Sequence, residues 1–269
     1  MPTFSSETVT DINALSEYLS DPEIKDLSSI PSVDCIVLCA SQVLHGAEVI
    51  FETLQQRPSL TKCLVLCGGL GHSTKLLYSA VAHHPCYSEL AQEVEGVPEA
   101  RVLEKILNRF FDRSAILSEG CQLLIEDQST NCGQNALLSR RVLDQVGFSA
   151  PKTCMINQDP TMMLRTKAAF KKVYSDIPSV SFISCPVFIP QVKLSDTNFL
   201  EWMPLGISCE LWDIERFIEL VLGEIPRLRD DENGYGPRGQ DFITHVNLPV
   251  EIEMAWSRLV VAFRHQKLR

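Results

Sequence analysis

Two short apolar runs constrain the fold of this chain more than any other feature. Residues 34–40 (Asp-Cys-Ile-Val-Leu-Cys-Ala) and 63–67 (Cys-Leu-Val-Leu-Cys) are almost continuously apolar, as expected for parallel strands that are buried on both faces. Shorter strand-like runs follow at 123–125, 153–156 and 179–185, and helical patterns separate them. Repeated strand-helix units imply right-handed crossovers. We therefore predict an α/β fold with a Rossmann-like parallel sheet and helices on both faces.

The chain is long enough for one large domain and an appendage. We predict that residues 1–190 form the Rossmann-like α/β domain. The strand-helix pattern then stops, and residues 191–269 are predicted to form a smaller, mainly helical C-terminal subdomain. Its helices are expected at 200–222 and from 249 to about 265. Between them lies a loop rich in Gly, Arg and Asp, residues 223–241, whose composition argues against a place in the core.

Composition narrows the class of protein. The net charge of -10 argues against a nucleic-acid or anionic-membrane surface, and no apolar run of about 18 residues is present for a membrane-spanning helix. Residues 5–30 form a predicted polar, helical lead-in, and residues 1–11 lack the basic and then apolar form of a signal peptide. The ten cysteines include no C-x-x-C pair, so no metal site is predicted. We expect a cytoplasmic protein whose partner is a small molecule.

A glycine-rich turn follows the second apolar run. Gly68, Gly69 and Gly71 fall within four positions, and Ser73 or Thr74 can cap the helical pattern that follows. Glycines let backbone N–H groups converge on a ligand, and a helix N-terminus favours an anion or a polar ligand edge. The spacing matches neither standard nucleotide fingerprint. The stretch is therefore either a ligand-binding loop or a tight turn that needs glycine for its shape.

Polar segments also follow the other predicted strands. Ser41 comes after the first strand, residues 126–135 after the third, and residues 158–165 after the fourth. Ligands of open parallel sheets bind outside the carboxyl ends of the strands. We therefore expect these segments to meet the glycine-rich turn along a single rim and to shape one pocket there.

The segment after the third strand is the most polar of these. Glu126 and Asp127 can take a ribose diol, an amino group or a metal, or they can form a solvated turn or helix cap. Hydroxyl and amide side chains follow within one turn and the start of a helix, which is commoner at sites than in plain loops. These side chains are Ser129, Thr130, Asn131 and Asn135.

Three further residues could bind a charged group or transfer a proton. After the fourth strand, Asp159 and Pro160 are typical of a helix N-cap and first residue. Arg165 then offers a fork for a carboxylate or phosphate, or is an ordinary exposed arginine. His72 has a ring suited to acid-base work, although loop histidines more often serve packing or hydrogen bonding. The catalytic residue stays unknown, with His72, Glu126 and Asp127 as candidates.

The loop at 223–241 allows two interpretations. Its arginines alternate with acidic residues, as in a self-neutralising surface loop. Alternatively, it is a lid in which Arg227, Arg238 and Tyr235 cover a bound nucleotide.

Several blocks of the sequence resemble the YdcF-like proteins, a large bacterial family of uncharacterised Rossmann-like α/β domains. The blocks are residues 68–74, 126–135, 158–162 with Arg165, and 223–231 with 234–239. They span most of the chain from about residue 34 to 249. The resemblance implies a Rossmann-like sheet with a smaller C-terminal part and a site that binds S-adenosylmethionine. It implies no particular reaction.

Single positions refine the resemblance. Glu99 matches an acidic position that is common in the wider family. Gln134 stands where relatives often carry Glu, so a mechanism that needs a carboxylate there is not expected. Cys132 stands where the wider family often has Thr. The glycine-rich turn differs from the usual motif of S-adenosylmethionine methyltransferases, so methyl transfer is not implied.

The leading hypothesis is a nucleotide-utilising protein that binds S-adenosylmethionine or a related adenosyl ligand at the strand ends. One rival is a hydrolase or transferase acting on a phosphate- or pyrophosphate-containing substrate, with Arg165 and Arg227 as clamps. The other is a non-catalytic small-molecule sensor. Enzymatic activity is left open. The residues predicted to contact the ligand are Ser41, Gly68, Gly69, Gly71, His72, Ser73, Thr74, Glu99, Glu126, Asp127, Ser129, Thr130, Asn131, Asn135, Gln158, Asp159, Thr161, Met162, Arg165, Arg227, Tyr235 and Arg238.

Overall fold

A five-stranded parallel sheet forms the centre of the protein, which is described by a computed structural model over residues 4–24, 26–207 and 209–263. Its strands are β1 (Val33–Cys39), β2 (Thr61–Cys67), β3 (Gln122–Glu126), β4 (Thr153–Asn157) and β5 (Ser181–Ser184). They lie in the order β3-β2-β1-β4-β5, and every neighbouring pair is parallel. The order reverses between β1 and β4. The α/β, Rossmann-like prediction is confirmed.

Helices cover both faces of the sheet, and a small hairpin follows it. The α-helices are α1 (Ser6–Ser20), α2 (His45–Gln56), α3 (Thr74–His83), α4 (Glu99–Phe110), α5 (Arg113–Ile116), α6 (Cys132–Gln145), α7 (Met163–Val173), α8 (Ile214–Leu228) and α9 (Val250–Phe263). Short 3-10 helices lie at Pro58–Leu60, Ser88–Leu90 and Pro160–Met162, and the hairpin consists of β6 (Val192–Leu194) and β7 (Leu200–Trp202). Within the described residues, no helix has both the length and the apolar character required to cross a bilayer.

Alternation along the strands divides the core into two layers. In β1, Cys35 and Val37 face a core built with α1, α6, α7, α8 and α9, whereas Ile36 and Leu38 face a core built with α2, α3, α4 and α5. Successive side chains of a strand point to opposite faces, so a continuous apolar run supplies both layers. The C-terminal helices share the first of these cores with α1.

Cysteines line one face of the sheet in register. Cys35 lies opposite Cys63 on one side and Cys154 on the other, and Cys39 lies opposite Cys67. All of them are free and buried. The four-residue spacing within each strand therefore places these thiols on one face, as predicted, where they pack as small hydrophobic groups.

Three predicted segments differ from the structure. The lead-in helix ends at Ser20 instead of near residue 30, because Asp21 adopts a left-handed conformation (φ 43°). Residues 200–222 are helical only from Ile214, since a hairpin strand and an irregular stretch come first. Residues 223–228 belong to α8 and contribute buried side chains, so that part of the loop prediction is wrong. Position 265, at the expected end of the last helix, lies outside the described residues.

Candidate functional site

The carboxyl ends of the strands bring the predicted polar segments together. The Gly69 amide after β2 donates to the carbonyl oxygen of Ser129 after β3, at 2.9 Å. The Ser41 hydroxyl after β1 donates to the Asp159 carboxylate after β4, also at 2.9 Å. Segments far apart in sequence therefore meet along a single rim of the sheet.

The glycine-rich turn packs tightly against its neighbours. A Cβ atom added at Gly69 would overlap the carbonyl oxygen of Ser129. The first amides of α4 hold the turn from the other side: Glu99 donates to the Gly69 carbonyl at 3.1 Å and Ala100 to the Gly68 carbonyl at 2.7 Å. The close approach of the two backbones thus explains why position 69 requires glycine. The remainder of the turn, Leu70 to Ser73, lies on the surface.

Thr74 links the turn to an acidic side chain. Its hydroxyl oxygen accepts from the Gly71 amide at 2.7 Å and donates to Oε1 of Glu99 at 2.8 Å. Glu99 is half-buried, and its Oε2 is directed toward Gly68 at the end of β2. Among the described residues, the Thr74 hydroxyl is the only hydrogen-bonding partner of the Glu99 carboxyl group. Burial raises the pKa of Glu99 above its usual value, against a smaller opposing effect of Thr74.

Glu126 is fully engaged within the protein. Oε1 accepts from the backbone amides of Gln128 and Ser129, each at 2.8 Å. Oε2 accepts from the Ser129 hydroxyl at 2.6 Å and from the Cys67 thiol at 3.1 Å. With only 2% of Glu126 exposed, this carboxylate shapes the turn after β3 from beneath, and Ser129 is buried with it.

Asp127 also has protein partners. It accepts from Nε of Arg101 at 2.7 Å and from the side-chain amide of Gln128 at 2.6 Å. These two hydrogen bonds and the charge of Arg101 hold the pKa of Asp127 below its usual value. Arg101 lies in the first turn of α4 and was not among the predicted site residues, because nothing in the sequence indicates its pairing across the rim.

The start of α6 is capped by its own polar residues. The Asn131 side-chain oxygen accepts from the backbone amide of Gln134 at 3.0 Å, as an N-cap does. The side-chain oxygen of Gln134 accepts in turn from the backbone amide and the hydroxyl group of Thr130, at 2.8 and 2.9 Å. Gln134 therefore serves a capping role for which an amide suffices. Asn135 is 9% exposed, and its side-chain amide has no hydrogen-bonding partner in the described part of the chain.

The predicted cap after β4 is confirmed. Asp159 Oδ1 accepts from the Thr161 amide at 3.0 Å and from its hydroxyl at 2.6 Å, and Pro160 begins the short helix. Asp159 is 3% exposed. Burial raises its pKa, and the hydrogen bonds from Thr161 and Ser41 oppose that effect. Met162 beside it is half-buried.

Arg165 is bound by a residue that the sequence did not reveal. Its Nε and Nη2 contact the two carboxylate oxygens of Glu224 at 2.5 and 3.0 Å. Arg227 contacts the same carboxylate at 3.1 Å. Glu224 is 1% exposed, so α8 closes over this part of the rim. The Cys132 thiol lies beneath, 4.0 Å from the Gln158 amide nitrogen, and burial raises its pKa.

Residues 230–241 fold back on themselves. Asp230 accepts from the Arg238 amide at 2.7 Å and also pairs with its side chain at 3.3 Å. The Tyr235 ring packs edge-on against Phe242, with ring centroids 5.3 Å apart. Tyr235 lies close enough to Arg165 to contribute to the raised pKa of that guanidinium, whereas Arg238 is mostly exposed. This segment is thus an ordered surface loop at the edge of the rim.

A few side chains keep free hydrogen-bonding capacity at the rim. His72 and Ser73 are exposed on the glycine-rich turn, and their side chains have no hydrogen bond in the ranges that the structure describes. The Asn135 side-chain amide and Oε2 of Glu99 likewise have no hydrogen-bonding partner among those residues. A separate cavity between the ends of β1 and β4 measures only about 10 Å³. No group of three or more His, Cys, Asp or Glu side chains in the described ranges could hold a metal ion.

No protein-family model matches this chain. The likeness to YdcF-like proteins therefore stays a prediction from the sequence blocks. The fold is the Rossmann-like α/β arrangement, and the geometry of the rim carries the functional proposal.

Proposed function

We propose that this protein binds S-adenosylmethionine, or a related adenosyl ligand, at the carboxyl ends of its parallel strands. One observation carries the proposal: Glu99 is a half-buried carboxyl group with one unpaired oxygen, next to the glycine-rich turn. A titratable group perturbed by burial within a strand-end rim is typical of a functional site. The likeness to YdcF-like proteins supports the same class of ligand.

The charge of the ligand explains why an acidic group would be kept in this place. Burial disfavours the ionised form of Glu99, and a nearby sulfonium cation offsets that cost. The Asn135 amide and the exposed His72 and Ser73 side chains offer hydrogen-bonding contacts to the rest of the ligand. Glu126 and Asp127, by contrast, already have strong partners within the protein, so Glu99 is the acidic group assigned to the sulfonium.

Calorimetric titration with S-adenosylmethionine and the uncharged S-adenosylhomocysteine tests the proposal. We expect tighter binding of the sulfonium compound by the wild type. Glu99→Gln is expected to remove this preference, with a loss of about tenfold, or about 1.4 kcal/mol. Glu119→Gln, an exposed acidic residue, is the matched control for net charge. Absence of binding of either compound at millimolar concentration would refute the proposal.

A proton-linked measurement sharpens the test. Because the pKa of Glu99 is raised, binding of a cation should drive it to ionise and should release a proton at mildly acidic pH. The observed binding enthalpy at about pH 5.5 should therefore depend on the ionisation enthalpy of the buffer. Glu99→Gln should abolish that dependence, whereas the control should keep it.

Glu99 also favours a second candidate function. A carboxyl group with a raised pKa suits general acid-base catalysis near neutral pH, as the predicted hydrolase or transferase of phosphate-containing substrates would need. A phosphate-release screen over nucleotides and sugar nucleotides should then show activity that Glu99→Gln abolishes. Ligand affinity without turnover in that screen would favour the sensor alternative.

A further inference from the structure

The crevice between β1 and β4 has the features of a closed binding site. Open α/β sheets hold ligands at the point where the strand order reverses, and that point lies between these two strands. Ser41 lines it from β1, and Asn157, Gln158 and Asp159 line it from β4. The last three are each 3% exposed. Yet the remaining space is only about 10 Å³, enough for about one water molecule.

A proline and a phenylalanine from the segment after β5 line one side of the crevice. Pro186 and Phe188 line the cavity, and we name residues 186–188 the plug. The Phe188 ring packs edge-on against His45 at the start of α2, with ring centroids 5.8 Å apart, and lies 6.1 Å from the Trp212 ring. Trp212 is 1% exposed. The plug therefore occupies the position at which this class of sheet admits a ligand.

The backbone of the plug is strained. Val187 has a φ of 73°, which for a β-branched residue is a genuine outlier and costs folding free energy. The Asn157 side chain donates to the Cys185 carbonyl at 2.7 Å, just before the plug. A wall residue of the crevice thus fastens a segment that would otherwise relax. Strained segments held by their surroundings are common at switch regions and ligand clamps.

One polar group beside the crevice lacks a partner. The Trp212 indole nitrogen lies near enough to the Asp159 carboxylate to lower the pKa of that group, but the geometry falls short of a hydrogen bond, and no other described residue accepts from the indole. Asp159 accepts from Ser41 and Thr161 instead. A buried N–H group without a partner costs stability, and an incoming hydroxyl oxygen could satisfy it.

We propose that this crevice is the subsite for a vicinal diol such as a ribose, and that the plug swings out when the ligand enters. The inference rests on the proposed function. Among the described residues, no Lys or Arg lines the crevice, which favours a neutral group over a phosphate. A diol suits the remaining chemistry: one hydroxyl group donates to Oδ2 of Asp159, which within the described residues accepts a single hydrogen bond, from Ser41, and the other accepts from the Trp212 indole.

The test compares adenosine with 2′-deoxyadenosine, and two plug variants with wild type. Val187→Gly relieves the strain and should stabilise the closed state, weakening adenosine binding at least threefold. Phe188→Ala removes the aromatic ring of the plug and should tighten adenosine binding at least fivefold, because the measured affinity scales with the fraction of protein in the open state. Loss of one hydroxyl should weaken binding about tenfold in each protein. Acrylamide quenching of fluorescence in a Trp202→Phe, Trp256→Phe background reports opening, because the remaining Trp212 is buried and its ring lies beside Phe188.

If wild type binds S-adenosylmethionine but both plug variants bind adenosine with unchanged affinity, the plug inference is overturned and the proposed function stands. If the deoxy compound binds equally well, the diol assignment fails. If quenching shows Phe188→Ala to be open and no adenosyl compound binds to any protein, both proposals fail. Val187→Gly removes no ring from the core, so it carries the test if Phe188→Ala does not fold.

Discussion

The buried ion pair between Arg165 and Glu224 makes a sharp prediction about stability. We expect Glu224→Gln to unfold far more easily than wild type, because it leaves the Arg165 guanidinium in place without its counter-charge. The Glu224 side chain is 2% exposed and that of Arg165 is 12% exposed. Removing one member of a buried pair costs about 3–5 kcal/mol, and the partial exposure of Arg165 places this pair at the lower end, about 3 kcal/mol.

That loss corresponds to a fall in Tm of roughly 6–12 °C for a chain of this size. Urea unfolding followed by circular dichroism measures the free energy directly. Glu219→Gln is the matched control, since it lies on the same helix and pairs with Arg216 at 3.5 Å with both side chains exposed. An exposed pair contributes about 0–1 kcal/mol.

A double variant separates the charge effect from packing. Replacing both Arg165 and Glu224 by Met should recover most of the lost stability, because well-packed apolar side chains often replace a buried ion pair without cost. The reasoning is refuted if Glu224→Gln and the Glu219→Gln control unfold within about 1 kcal/mol of each other. It is equally refuted if the double variant is less stable than Glu224→Gln.

Three further outcomes follow from the structure. Gly69→Ala should destabilise the protein by about 1–3 kcal/mol in urea unfolding, because its Cβ would overlap a carbonyl oxygen, whereas Gly133→Ala in α6 has room and should be neutral or stabilising. Glu99→Gln should gain stability relative to wild type as the pH rises from about 4.5 toward 7, because the folded wild type retains a proton that the unfolded chain loses; a pH-independent difference would contradict this. A thiol reagent should label one exposed cysteine, Cys86, rapidly in the native protein and all ten after denaturation, and Cys86→Ser should lose the fast phase.

The strand core was predictable because its signal is local. Apolar runs at 34–40 and 63–67 correspond to β1 and β2 within one or two residues, since a strand buried on both faces needs no partner information to be recognised. The meeting of the polar segments at one edge of the sheet was predictable from the parallel arrangement alone. The hairpin of β6 and β7 has three residues in each strand, too few for a periodic pattern to appear.

The pairing of the charged groups could not be read from the sequence. Arg165 and Glu224 are separated by 59 positions, and Arg101 and Asp127 by 26. Only the packing of α8 and α4 against the rim brings each pair together. The hydrogen-bonding partners of these residues also decide their role. A residue can contact a ligand when its polar atoms lack partners within the protein, and it has a structural role when the protein already satisfies those atoms.

The acidic residues of the rim therefore fall into two groups, according to how many hydrogen bonds each accepts from the protein. Glu126, Asp127 and Glu224 each accept at least two hydrogen bonds from the protein, so neutralising them should mainly lower stability. Glu99 accepts one and is held with a raised pKa, so neutralising it should mainly lower ligand affinity. If Glu99→Gln lowers the free energy of unfolding as much as Glu224→Gln does, then Glu99 has a structural role like that of Glu224. That result would remove the physical basis for a ligand at the free oxygen of Glu99.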